Sequence, residues 1–277
     1  MWIDTHCHLD APEFAGHESR IVSEAEKLGI GQIVIPAVKS MNFEQVAALA
    51  HTCDNCSYAL GIHPMYVASS PENDLLILDK ALEKGMSDSR LVAIGEIGLD
   101  FYFPDLAQSP IREKQEYFLS EQLKMARKYG LPVLLHTRRS VDTVLKHLRR
   151  HNVHMGIAHA FNGSFQQAEA FIDQGIKISF CGTVTYKRAH QLRKLAAALP
   201  IDAMVVETDS PDLPPAWKNK KENSPLELPR IGELIAGLRD TSPEELAMQT
   251  SCNALSAIPR LVSLPENNKK QQIKFHF

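Results

Sequence analysis

The sequence predicts an α/β fold, a single (β/α)8 TIM barrel, on three observations. Short apolar, β-branched runs recur along the chain, each separated by a stretch with helical periodicity. These runs are apolar almost throughout rather than alternating, which marks strands buried on both faces of a parallel sheet. Eight of them fall between residues 2 and 238, the number that closes one barrel. A doubly wound open sheet is the alternative, because periodicity alone does not close a sheet.

The strands read Trp2 to Thr5, Gln32 to Val38, Tyr58 to Ile62 and Leu91 to Ile97. They continue with Pro132 to His136, Met155 to His159, Ile176 to Cys181 and Ala203 to Thr208. Between them lie amphipathic segments at Glu18 to Leu28, Phe43 to Ala50, Ile111 to Tyr129 and Val141 to Arg149. Further ones follow at Gln166 to Gln174, Ala189 to Leu199 and Leu226 to Leu238. Glycines at 29 to 31, 130 and 175 stand between helix ends and the next strand, where Gly supplies a left-handed cap at no steric penalty. Residues 1–265 read as one domain without internal repeats, and 266–277 as a polar Lys/Gln-rich tail that frays.

Composition narrows the class. With 277 residues the chain buries roughly 75% of its unfolded surface, so its core needs no disulfide or metal staple. Gly, Pro, Cys and charge fractions are ordinary, which excludes collagen-like, disordered and disulfide-scaffold proteins. A net charge of −3 excludes a uniformly basic nucleic-acid coat, though not local phosphate handling by a few Lys and Arg. No secretory signal precedes the first strand, no apolar run spans a membrane, and the five cysteines are odd in number and scattered. A cytoplasmic protein is expected, with no membrane role and no obligate protein partner evident. Cys53 and Cys56 have zinc-knuckle spacing but no second pair, so they are a metal or redox site or an incidental pair.

In such barrels chemistry sits at the C-terminal ends of the strands. Five of the 12 histidines fall there (His6, His8, His63, His136 and His159), where chance would place about one. Glu96 joins them at the end of the fourth strand, and Glu207 and Asp209 at the eighth. Residues two apart in a strand share a face, so His6 and His8 enter the barrel mouth together while Cys7 faces the helix layer. Imidazole and carboxylate ligands suit Zn²⁺, Mn²⁺ or Ni²⁺, and a carboxylate-rich site also admits Mg²⁺. Each residue also has a structural reading, as a buried histidine, a salt-bridged glutamate or a helix cap. Glu207 either orients a liganding histidine or is itself a ligand. His63 is a substrate or phosphate contact, or a packed loop residue.

Six segments together resemble the TatD family of metal-dependent hydrolases and deoxyribonucleases, in the amidohydrolase superfamily, and its YjjV-like branch in wording. They are Ile3 to Asp10, Gly61 to Pro64, Gly95 to Asp100, Leu131 to Arg138, Thr183 to Lys187, and Val206 to Pro211. The matches are ordered and span nearly the whole chain. The resemblance implies two divalent ions (Mg²⁺, Mn²⁺ or Zn²⁺), one held by His6, His8 and Asp209, the other by His136 and His159, with Glu96 bridging. Two departures, Ala254 after Thr250 to Asn253 and a Lys-rich loop at Trp217 to Glu222, are expected to bear on substrate fit.

Two cations about 3.5–4 Å apart lower the pKa of a water toward 7 and neutralise phosphoryl oxygens. Asp209, beside Glu96, is the expected general base. Arg138 and Lys187 are candidate substrate contacts, with Arg139, Lys218, Lys220 and Lys221 as further phosphate contacts. Phe161, Tyr102 or Trp217 could stack a base. The expected activity is hydrolysis of ester bonds, as a deoxyribonuclease of the 3′–5′ exonuclease type acting on single-stranded DNA or 3′ ends. The alternatives are another ester or amide, such as a D-aminoacyl-tRNA ester, on the same site, or a non-catalytic metal-binding protein.

Overall fold

The computed structural model of the chain describes residues 1–219 and 221–263. Lys220 and the expected tail at 266–277 lie outside the described residues. Strands β1 (Trp2–Asp4), β2 (Ile30–Pro36), β3 (Cys56–Leu60) and β4 (Leu91–Asp100) fill the first half, with β5 (Val133–Arg138), β6 (Gly156–Ala158), β7 (Ile176–Phe180) and β8 (Met204–Val206) in the second. The helices are α1 (Glu18–Lys27), α2 (Phe43–Thr52), α3 (Pro64–Val67), α4 (Asn73–Gly85) and α5 (Ile111–Tyr129). They continue with α6 (Val141–His151), α7 (Phe165–Asp173), α8 (His190–Ala198), α9 (Leu228–Leu238) and α10 (Pro243–Ala257).

Each strand pairs in parallel with the next in sequence order, from β1 round to β8. The last returns to the first through single hydrogen bonds: Thr5 N–H donates to the Val206 carbonyl at 3.3 Å, and Asp209 N–H to that of His6 at 2.9 Å. The expected (β/α)8 barrel is thus the observed one. Gly29, Gly130 and Gly175 have φ of 81°, 64° and 83°, the left-handed conformation expected where a helix ends before a strand.

Alternation along the strands builds two cores. Ile3, Val34, Ala59, Ala93, Leu134, Ile157 and Val205 fill the barrel. Their neighbours, including Trp2, Ile33, Tyr58, Val133 and Met204, pack outward with the helix faces.

The inner core is closed from below by α10, whose Ala254 and Ala257 join it with Ile258 and Leu261. Asn253 Nδ2 donates to the carbonyls of Ile201 and Met204, both at 2.7 Å, and Ser251 Oγ to that of Met1 at 2.9 Å. Those carbonyls lie where β8 and β1 begin. Ala254 and the segment before it therefore plug the end of the barrel opposite the mouth, and the expectation that they bear on substrate fit is overturned.

Helices α3, α4 and α10 have no counterpart in the sequence pattern. In α4 the run Leu75 to Leu78 buries Leu75 and Leu78 but leaves Leu76 and Ile77 exposed, which blurs the 3.6-residue period.

The plug yields a stability prediction. Asn253→Ala strands two buried carbonyls and should lower the unfolding free energy in urea by about 1–3 kcal/mol. Hydrolysis per folded molecule should stay unchanged. Lost activity at unchanged stability would place this helix in the site after all.

Candidate metal centre

Local backbone departures aim the polar side chains. Ile3 faces the barrel interior, yet Cys7, of the same parity, lies in the outer core. The alternation therefore shifts by one where β1 ends at Asp4, and this shift turns His6 and His8 into the mouth. Asp4 holds the bend, accepting bonds from Thr208 Oγ1 (2.6 Å), Thr208 N–H (3.0 Å) and His6 N–H (3.3 Å). One fully buried carboxyl thus ties the end of β1 to the end of β8. Nothing in the sequence singled out Asp4 as more than part of a motif.

A second departure lies in β4, which runs on to Asp100 rather than ending at Ile97. Ile94 pairs with Val133 and Ile97 with Leu135, so three steps on β4 oppose two on β5. The bulge falls at Glu96 and re-aims its side chain into the barrel. Neighbouring backbones press close around it. A Cβ on Gly61 would stand 2.7 Å from the Gly95 carbonyl carbon, and one on Gly98, at φ +147°, 2.0 Å from the His136 oxygen. Only glycine fits these two places.

Glu96 is the centre of the site, with a side chain 2% exposed. Its Oε2 lies 3.2 Å from His6 Nε2 and 3.5 Å from His8 Nε2. Asp209 Oδ1 stands 3.7 Å from both imidazoles. The other oxygen, Oε1, faces His136 Nδ1 at 2.9 Å, His63 Nε2 at 3.1 Å and His159 Nε2 at 3.2 Å. Six expected ligands therefore converge, split between the two oxygens of one carboxylate.

Hydrogen-bond partners assign the tautomers, and the tautomers separate the histidines. His136 Nε2 faces Asp100 Oδ2 at 3.1 Å, so Nε2–H donates there and the Nδ1 lone pair points at the centre. His159 Nδ1 faces Glu207 Oε1 at 3.2 Å, which leaves the Nε2 lone pair free. In His63 the order reverses. Its Nδ1 accepts from Met65 N–H at 3.2 Å, capping α3, so its Nε2 carries the proton. His136 and His159 are set up to ligate a cation and His63 to donate a hydrogen bond. Glu207 takes the orienting position, also accepting Ala160 N–H at 2.5 Å. Asp100 plays the same part for His136, and the sequence reading gave it no role.

The electrostatics ask for positive charge. Burial pushes the Glu96 carboxyl up, but the imidazoles of His63, His159 and His6 overcome it and hold it well below the usual range. Burial likewise opposes charge on His8, yet Glu96 and Asp209 lift it to about 9. His136 and His159 also rise, against burial, through their carboxylate neighbours. Burial raises Asp209 to about 7. The charged partners of Glu96 among the described residues are all imidazoles, with no Lys or Arg. Three donor groups have ligand atoms within 4.8 Å of one another, a spacing that suits a divalent cation: His6, His8 and Asp209; His6, His159 and Glu207; and His63, Glu96 and His136. The residues present fit the expected metals.

The remaining candidates scatter. Exposed Arg138 lies 3.9 Å from Asp100, with its guanidinium 3.7 Å from the Tyr102 ring centre. Lys187 lines a separate cleft of about 490 Å³ with Tyr186, Arg188, Ala216 and Asn219. Lys218 pairs with Glu227 at 3.5 Å, and Lys221 is exposed. Phe161 is 1% exposed, packed edge-to-face on Phe171, and cannot stack a base. Trp217 is half-buried and tied by its N–H to Glu227 at 2.8 Å. Of the three aromatic candidates, Tyr102 alone is an exposed ring at the mouth. Cys53 and Cys56 belong to no donor group found among the described residues. Their segment is held instead by the Arg90 guanidinium, which binds the carbonyls of Ala50, Cys53 and Cys56 at 2.7–2.8 Å.

Comparison with known proteins decides the family. The TatD related DNase family matches residues 3–258. The chain belongs to the TatD family of metal-dependent hydrolases. It is 40% identical over 247 residues to the uncharacterized metal-dependent hydrolase YjjV of Escherichia coli K12, covering 89% of this chain and 93% of that one. The crystal structure of that TatD homologue superposes with a TM-score of 0.88, covering 93% of this chain and 98% of the other. A human relative, deoxyribonuclease TATDN3, is 30% identical over 265 residues, covering 94% and 95% of the two chains. A TatD-family hydrolase from Entamoeba histolytica shares the fold at TM-score 0.80 and 20% identity, covering 93% and 97%. Among the described residues no helix is long and apolar enough to cross a membrane.

This TatD geometry makes two predictions. Asp100→Ala should weaken binding of one ion about 10- to 100-fold in a chelator competition, because His136 loses the partner that fixes its tautomer. The second concerns Asp4, which burial raises from 3.8 to about 7. Between those values the unfolded carboxyl ionises while the folded one stays protonated, so its contribution favours folding least at high pH. In chelator, the stability of wild type relative to Asp4→Asn should fall by a few kcal/mol from about pH 4 to pH 7 and then level off. A flat difference would show that Asp4 is ionised in the fold.

Proposed function

We propose that the chain is a deoxyribonuclease of the 3′–5′ exonuclease type, hydrolysing phosphodiester bonds in single-stranded DNA or at 3′ ends with two divalent ions. The observation that carries this reading is the division of Glu96. Its Oε2 serves the His6, His8 and Asp209 set and its Oε1 the His136 and His159 set, as a carboxylate bridging two cations would. Mg²⁺, Mn²⁺ or Zn²⁺ suit these donors. The printed names of the family and of the human relative support DNA as substrate.

When bound, the ions make water acidic near neutral pH and offset the negative charge that builds on the phosphoryl oxygens. The protein's own groups supply the proton traffic. Asp209 stands at the edge of the donor set with a carboxyl lifted by burial, so a proton taken there is readily passed on to the leaving oxygen. His63 Nε2–H faces Glu96 Oε1 and His136 Nδ1, both at 3.1 Å, so its part as a substrate contact requires that it turn from them toward a phosphoryl oxygen. Glu207 and Asp100 keep His159 and His136 in their liganding tautomers. Arg138 and Lys187 receive phosphates outside the reacting centre. All five cysteines are free thiols, which suits a reducing cytoplasm.

The test is a product ladder from 5′-labelled single-stranded DNA, with protein stripped by chelator and restored with each metal. Wild type should shorten the strand one nucleotide at a time from the 3′ end, and Glu96→Ala should not. Asp209→Asn, loaded with metal, should lose about 10²–10⁴-fold in kcat. Wild type that binds two ions and cuts no DNA would overturn the nuclease reading and leave hydrolysis of another ester or amide.

A further inference from the structure

The rim of the site is not uniform. Among the described residues four aromatic rings are well exposed, and three of them stand at the mouth, Tyr66 in the short helix α3 that follows β3 and Tyr102 and Phe103 in the loop that follows β4. Exposed rings there serve no core, unlike Phe161 and Phe171. Each is attended by a cation. Lys39 Nζ lies 5.3 Å from the Tyr66 ring centre, and Arg138 and Arg139 lie 3.7 and 4.7 Å from that of Tyr102. Arg138 also lies 5.4 Å from the ring centre of Phe103, whose ring stands perpendicular to that of Tyr102, so that one meets a base by its face and the other by its edge.

Each ring set also adjoins a histidine of the Glu96 Oε1 half. The Tyr66 ring is 6.2 Å from that of His63. Arg138 follows His136 by two residues on β5, on the same face and about 7 Å along the strand. That rise is comparable to the spacing of neighbouring nucleotides in a single strand. Cations beside upright aromatic faces are the combination that binds unpaired bases and their phosphates together.

We infer that this crescent is a nucleobase-stacking subsite, with Tyr102 and Phe103 taking one unpaired base beside the scissile phosphate and Tyr66 another. Arg138 and Lys39 hold the adjoining phosphates. This rests on the nuclease reading and assigns to these rings the choice of an unpaired strand, because neighbours in a duplex cover the faces of each base. Stacking is tolerant of sequence, so the subsite selects strand state rather than base identity.

The experiment compares kcat/KM of the metal-loaded enzyme on a short single-stranded oligodeoxynucleotide and on the same strand carrying tetrahydrofuran abasic residues at its two 3′-terminal positions. Wild type should prefer the intact strand about 5- to 150-fold. In Tyr66→Ala and in a Tyr102→Ala/Phe103→Ala double variant the preference should fall toward one. Because the ratio is taken within each variant, a fraction of misfolded protein cancels. A preference near one in wild type, or an undiminished preference in both variants, would remove the subsite and leave the nuclease standing. Failure of wild type to cut either strand while hydrolysing bis(p-nitrophenyl) phosphate would overturn the nuclease reading and the subsite with it.

Discussion

A carboxylate buried without a counter-charge costs several kcal/mol, and Glu96 sits at the heart of a closed barrel. Its partners are imidazoles drawn from the ends of β1, β3, β5 and β6, with Asp209 from the end of β8 beside them. Neutral imidazoles relieve that cost only in part, and Asp209 adds to it. Protons on His8, His136 and His159 supply the missing charge when nothing else does, as their raised affinities show. A divalent cation supplies it better, since it satisfies several lone pairs at once. The site is thus suited to a divalent cation. That demand fixes the barrel as the scaffold, because strand ends that meet on one circle are what bring five distant histidines to one carboxylate.

Meeting that demand costs the sheet its regularity in two places. The alternation of β1 breaks after Asp4, and β4 carries an extra residue at Glu96. Each departure is braced. Asp4 grips Thr208 across the seam where the barrel closes, and there it sets His6 and Asp209 relative to each other. Gly61 and Gly98 let β3 and β5 lie against the bulge. Departures of this kind gather at functional sites, where local preference yields to the geometry of the chemistry.

Much of this was legible in the residues. The eight strands announced themselves because parallel strands buried on both faces are continuously apolar, and the convergence of the candidate ligands because His and acid at strand ends have few structural excuses. Boundaries were less legible. The end of β4 is hidden in the sequence because Gly98 resembles a strand terminator, whereas in the structure it takes φ +147° and the strand continues to Asp100. Asp4 and Asp100 were missed as positioning groups because a carboxylate that orients a neighbour has no signature apart from its partner, and Thr208 lies 204 positions from Asp4. His63 shows the limit most clearly. Sequence placed it at the mouth, but only the Met65 N–H on its Nδ1 tells which nitrogen holds the proton.

The inner donors and the rim answer to different constraints. The candidate ligands are buried, and their geometry answers to a divalent cation rather than to the substrate. Nothing about them distinguishes a nucleotide from a smaller substrate. The rim residues Tyr66, Tyr102, Phe103, Arg138 and Lys187 lie outside the donor set and are free of that geometry, so discrimination between substrates has to reside in them. Stacking of a base away from the reacting phosphorus is present equally in the bound substrate and at the transition state. Such contacts lower KM and leave kcat alone unless they also fix the phosphate against Glu96 and Asp209. The Asp100 carboxylate gives them that opportunity, since it holds His136 through Nε2 while lying 3.9 Å from the Arg138 guanidinium. A strand seated on the rim is thereby linked, through one buried acid, to a residue positioned to ligate the metal.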